Sequence, residues 1–250
     1  MTYRFLGRHA VCFALCVSVL ASTGAFAEKN DYYDKWEFRH NDKYRLIWFY
    51  NTLKDFNANQ PNSVQVVDKL FEIRRDVRPP TINGIYLLEY SKVNDGDEVL
   101  DLGTGSGIHA IFAAEKAKRI VATDIYAPAI ENAKTNARLH KVEDKIDFRV
   151  GDLLEPLHDN DRFDVVFFNI NYPFSVGDDD RQRLHERFFA GIHKYLKPGA
   201  RVYYQTSFIK NAPYIFDMLN RNGFHIMEMH MEYLLPSKHE PLFFMVQENE

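Results

Sequence analysis

The residues with the clearest chemical meaning form the run Asp101-Leu102-Gly103-Thr104-Gly105-Ser106-Gly107, an acid followed by three alternating glycines. Glycine has no Cβ, so a turn built from it bends tightly and lets a ligand approach the backbone amides. A helix begun just after such a turn presents unpaired N–H groups to a polar ligand. Asp124 ends the apolar run Ile120-Val121-Ala122-Thr123, where a carboxylate can accept hydrogen bonds from ribose hydroxyls. Its simpler reading is an acid that stabilises the N-terminus of the next helix. Asn169 ends the run Val165-Val166-Phe167-Phe168, and a polar residue there faces the crevice in which open α/β sheets bind ligands. Gly151-Asp152 reads equally well as a site or as a solvated turn.

These positions need a scaffold that brings strand ends together. Strands are predicted over 98–102, 119–124, 146–150, 164–170, 201–206, 225–232 and 242–247, with helices over 106–116, 127–140, 180–196 and 212–222. The alternation implies a Rossmann-like, doubly wound α/β fold: a parallel sheet with helices on both faces. The connection over 235–241 is too short for a crossover, so the last of seven strands should run antiparallel. Upstream, 63–75 is expected to be helical, and Thr81 caps a helix running to about Tyr90 after the break at Pro79-Pro80. Together with an aromatic-rich stretch holding both tryptophans, Trp36 and Trp48, these make a helical extension over 28–90, ahead of a cofactor domain over 91–250.

Spacing then selects the ligand. The dinucleotide fingerprint G-x-G-x-x-G/A fails, because Ile108 stands at its final position. Asp101-x-Gly103-x-Gly105-x-Gly107 instead resembles the first motif of the class I S-adenosylmethionine-dependent methyltransferases. Across residues 77–247 the chain is closest in motifs to the release-factor glutamine and ribosomal-protein methyltransferase group. That resemblance implies S-adenosylmethionine as cofactor, held by Thr81, Asp101, Gly103, Thr104, Gly105, Gly107, Asp124, Ile125, Asp152, Leu153 and Asn169. Asp152 would bond the adenine amino group and the Leu153 amide a ring nitrogen, Thr81 would sit near the methionine end, and Tyr126 against the adenine face. Asn169 and Tyr172 would be the catalytic pair that orients the acceptor. The relatives carry Asn-Pro-Pro-Tyr, whereas here Asn169-Ile170-Asn171-Tyr172 keeps the outer residues and loses both prolines. The implied function is methyl transfer to a nitrogen or oxygen acceptor on a protein or small molecule. Two alternatives stand beside it: a non-catalytic member of the fold that binds cofactor or a partner, and a nicotinamide-dependent oxidoreductase.

The front end carries a different message. Arg4 and Arg8, the apolar stretch over 11–21 and Ala25-Phe26-Ala27 have the layout of a secretory signal peptide over 1–27. Export to the periplasm or outside is therefore expected; uncleaved, the segment would be a membrane anchor on a cytoplasmic domain. Both cysteines, Cys12 and Cys16, lie in it, so the processed chain has no thiol chemistry. Its loss takes two arginines and no acid, moving the net charge from −4 to −6. Such a surface exerts no general pull on nucleic acid. The histidines are scattered without ligand spacing, so no metal site is expected.

Overall fold

The computed structural model describes residues 63–170, 179–206, 211–232 and 241–249. The leader, the tryptophan-rich stretch, Asn171 and Tyr172 lie outside them. No helix among the described residues is long and apolar enough to cross a membrane.

The core is a seven-stranded sheet of β3 (Glu98–Leu102), β4 (Arg119–Asp124), β5 (Ile146–Val150), β6 (Phe163–Phe168), β7 (Leu196–Thr206), β8 (Phe224–Met231) and β9 (Leu242–Glu248). Their spatial order is β5-β4-β3-β6-β7-β9-β8, and β9 runs antiparallel to both its neighbours. The six other strands all point the same way, as the alternation of strand and helix requires. Within β7 the register jumps: Phe163 faces Leu196 and Val165 faces Arg201, so the turn residues 197–200 bulge out.

Alternation along β6 divides the core in two. Val166 and Phe168 enter one apolar cluster, Val165 and Phe167 the other. The first is covered by α4 (Asp179–Gly191) and α5 (Ala212–Arg221), through Phe188, Phe189, Ile215 and Met218. The second is covered by α1 (Ile82–Glu89), α2 (Ile108–Ala113) and α3 (Ala127–Leu139), through Tyr86, Leu87, Ile111 and Ala137. A strand buried on both faces reads as the near-continuous apolar run seen in Phe163–Phe168.

The helix expected over 63–75 is instead an antiparallel hairpin, β1 (Ser63–Val66) and β2 (Lys69–Glu72). Val66 and Phe71 point inward while Gln65 and Glu72 face water, a period of two that a helix would not keep. Two buried carboxamides on α3 dock it. Asn136 Oδ1 accepts from the Glu72 amide at 2.7 Å, and its Nδ2 donates to the carbonyls of Glu72 (3.0 Å) and Ser106 (2.9 Å). One turn earlier, Asn132 accepts from the Arg74 amide and donates to the Glu72 carbonyl. One side chain thus joins the hairpin to the glycine turn.

Candidate active site

β3 and β6 flank the point where strand order reverses, the usual place for a ligand in such sheets. A cavity of about 340 Å³ opens there, at the carboxyl ends of β3 to β6. Pockets for small ligands start near this size, about 300 Å³.

The glycine turn forms its floor. Gly103, Gly105 and Gly107 all have positive φ, at 75°, 56° and 88°, which side-chain-bearing residues rarely adopt. A Cβ on Gly105 would project into open space. The Gly103 and Thr104 amides both donate to the Thr123 carbonyl at 2.9 Å, stitching the turn to β4. Asp101 lies beneath the turn, outside the cavity lining. Its Oδ2 accepts from Thr104 Oγ1 at 2.7 Å and from the Ala110 amide at 3.1 Å. Asp101 therefore meets the turn from behind rather than a ligand, and Gly107, packed against Ala133 and Ile111, is likewise behind the wall. Burial pushes the Asp101 carboxyl upward, against the pull of His109 and those hydrogen bonds.

Asp124 stands at the cavity edge with Ile125. One carboxylate oxygen accepts from the Gly105 amide at 3.0 Å, the other from the Tyr126 amide at 2.9 Å. Each oxygen keeps a lone pair for a further donor. Tyr126 itself does not line the cavity; its hydroxyl turns to Asp76 at 3.3 Å. Gly151, Asp152 and Leu153 form the next stretch of wall, with Leu153 at φ 46°. Asp152 Oδ2 accepts from Arg187 of α4 at 2.7 Å, a partner that sequence spacing gave no sign of.

Thr81 lines the opposite side and caps α1, its hydroxyl accepting from the Gly84 amide at 3.2 Å. Arg78, Pro79 and Pro80 continue that wall. Asn169 and Ile170 close the end between them. A Cβ on Gly84 would lie 2.9 Å from Asn169 Nδ2, so the Asn169 carboxamide keeps this position only beside a glycine. Asn169 Oδ1 is buried and has no hydrogen-bond partner among the described residues. His109 lines the cavity while packing beneath it: it is buried, stacked 5.1 Å from Phe167, with Nε2 donating to the Gly84 carbonyl at 3.1 Å. Burial pushes its pKa down, keeping it neutral.

Thr81, Gly103, Thr104, Gly105, Asp124, Ile125, Asp152, Leu153 and Asn169 therefore share one cavity, and Tyr172 falls outside the described residues. Ser106, His109, Leu184 of α4 and Gly84 also line it and were missed. Gly84 sits three residues after the capping Thr81, but its close approach to Asn169 exists only in three dimensions. The lining suits a nucleoside with a charged tail: a turn open at Gly105, an acid beside it, an apolar flank and an orphaned acceptor on the wall.

A family profile described as a methyltransferase domain matches residues 93–233, more than half the chain. A provisionally named protein N5-glutamine methyltransferase of Methanocaldococcus jannaschii is 31% identical over 171 residues, covering 62% of this chain and 84% of that protein. A ribosomal protein L11 methyltransferase of Halalkalibacterium halodurans is 26% identical over 202 residues, covering 78% of this chain and 60% of its own length. A crystal structure of the M. jannaschii tRNA m1G37 methyltransferase superposes with a TM-score of 0.62 at 20% identity, over 77% of this chain and 57% of that one. The chain thus spans less than two thirds of the last two proteins. The fold, the glycine turn placed at its switch point and the matched profile converge: this chain belongs to the class I S-adenosylmethionine-dependent methyltransferases.

Proposed function

We propose that this protein methylates a nitrogen atom carried by a protein. The observation that carries the reading is Asn169 Oδ1, a buried acceptor without a partner at the closed end of the cavity. An orphaned buried carbonyl costs about 1–3 kcal/mol, and an incoming N–H would remove that cost. In this reading Asp124 holds the ribose, Asp152 and the Leu153 amide hold the adenine, and the glycine turn, open at Gly105, lets the tail lie close against its backbone. Asn169 aims the acceptor nitrogen by taking one of its hydrogens, with Tyr172 beside it on the strength of the resemblance alone. The bound sulfonium supplies an electrophilic methyl carbon; transfer forms an N–C bond, breaks an S–C bond, leaves the pair on sulfur and releases one proton. Positioning alone lowers such a barrier by about 7–11 kcal/mol, so no nucleophilic side chain is needed. The relatives named for glutamine and ribosomal-protein methylation, and the excess of acidic residues, support a protein acceptor.

Calorimetry with S-adenosylhomocysteine tests the pocket: the wild type binds, and Asp124→Ala weakens binding at least about tenfold, since hydrogen bonds to a charged group contribute about 1.5–3 kcal/mol. Radiolabelled methyl transfer in a lysate tests the acceptor. Label in a protein band supports the reading, and label confined to RNA overturns it. The leader over 1–27 is a separate proposal, checked by whether mass spectrometry of the purified protein finds Glu28 at its N-terminus.

A further inference from the structure

Beneath the glycine turn lies a buried acid–base pair that methyl transfer does not use. Asp101 on β3 is 1% exposed and His109 on α2 is 3% exposed. His109 Nε2 lies 3.1 Å from the Gly84 carbonyl of α1. A backbone carbonyl only accepts, so this nitrogen carries a proton, and in a neutral imidazole Nδ1 is then a bare acceptor. Nδ1 faces Asp101 Oδ1 across 3.7 Å, and Oδ1 has no hydrogen-bond partner among the described residues. The other oxygen, Oδ2, already takes the Thr104 hydroxyl and the Ala110 amide. Without a further proton, a carboxylate and a lone pair would confront each other out of water, and a buried charge so placed is costly. Burial favours the uncharged form of each partner, raising Asp101 and lowering His109. Asp124 on β4, the other charge acting on the pair, pushes Asp101 the same way. The remaining neighbours carry no charge: the Phe167 ring of β6, the Thr104 hydroxyl, the Ala110 amide and the Gly84 carbonyl.

We infer that Asp101 and His109 hold one proton between them, as a carboxylic acid on Oδ1 facing a neutral imidazole, and that this pair is a proton-dependent latch joining the cofactor turn to α1. Both are positioning residues. Asp101 grips the turn through Thr104, and His109 grips α1 through the Gly84 carbonyl, at the glycine against which Asn169 lies. Loss of the proton at alkaline pH leaves an anion under the turn opposite a lone pair, and the latch opens. The inference holds for any methyl acceptor, so it stands apart from the choice of a protein nitrogen.

Ring-nitrogen resonances of ¹⁵N-histidine-labelled wild type test where the proton sits. His109 should show one protonated nitrogen and one bare one at neutral pH, and an imidazolium there overturns the inference. Asp101→Asn copies the neutral acid: its Oδ1 can take the Thr104 and Ala110 bonds, and its Nδ2 offers His109 a donor that no pH removes. The wild type carries one proton more than this variant when folded. The ratio of the variant's folding constant to that of the wild type should therefore rise about tenfold per pH unit above the ordinary aspartate value of 3.8, and level off where the pair lets its proton go. A ratio that stays flat or falls above 3.8 overturns the inference. Calorimetry with S-adenosylhomocysteine then tests the latch. Relative to Asp101→Asn, wild-type affinity should fall about tenfold per pH unit once the His109 signals report the proton gone, and only then. Affinity that falls with the proton still in place, or that persists after it has left, overturns the latch. The spectrum and the folding ratio need no ligand, so their failure is distinct from a failure of the pocket itself.

Discussion

Asp161 shows how a single charge ties strands together away from the cavity. It is almost completely buried and accepts from Arg149 at 2.6 Å, from Arg119 at 2.7 Å and from the His158 amide at 2.8 Å. Burial alone would raise its pKa; the two guanidinium bonds and the amide outweigh it and hold the carboxyl at about 2. Because the folded value lies below the unfolded one, the stabilisation is complete above the ordinary carboxylate pKa of 3.8 and is lost as the pH falls through about 2. That amounts to about 2 kcal/mol. Acid titrations of stability should therefore show wild type and Asp161→Asn converging toward pH 2, with the variant less stable at neutral pH. Asp161 itself was invisible in sequence, since nothing near it marks a carboxylate that two strands' arginines share. Asp124 was legible because its place at the end of an apolar run fixes its surroundings. Asp101 was half legible: the motif flagged the residue, while its turn toward Thr104 and Ala110, away from the cavity, depends on how the loop closes above it.

The hairpin β1–β2 is the element that sequence pattern misjudged, for an identifiable reason. Hairpins announce themselves by Asn-Gly or Asp-Gly at the loop, and here the first loop position is Val67 at φ 53°, a conformation that β-branched residues disfavour. With no turn signal, Val64, Val66 and Val67 followed by Leu70 and Phe71 mimic a helical face. Tertiary contacts decide the matter, chiefly the carboxamides of Asn132 and Asn136. Asn136→Ala would strip partners from the partly buried Glu72 amide and from the buried Ser106 carbonyl. A loss of about 2–3 kcal/mol is expected in denaturant melts, with faster hydrogen exchange at Gly105 and Ser106 than in the wild type. Exchange left unchanged there would show that the hairpin and the turn are independent. By contrast β3, β4 and the edge strand β5 match their expected limits residue for residue, and for β3 and β4 the reason is that buried parallel strands are short apolar runs bounded by turns.

At the scale of the molecule, the reversed final strand followed from a connection too short to cross over, but the strand order did not. Which side of β3 each later strand takes is set by how helices share the two faces, and that is written in long-range packing. Phe168 lies at the centre of one face, 4.0 Å from Phe188 and 5.6 Å from Tyr204 between ring centroids. Phe168→Ala should cost about 3–5 kcal/mol in equilibrium unfolding, while a change of similar size at exposed Val150 should cost little. The arm bearing Arg78, Pro79, Pro80 and Thr81 has a consequence for where this enzyme begins. The matched family region starts at residue 93, downstream of that arm and of Gly84. A fragment trimmed to that boundary keeps every strand of the large sheet yet lacks one bank of the binding cleft. Circular dichroism should find it folded while it fails to retain the nucleoside, so the working unit reaches back at least as far as Arg78.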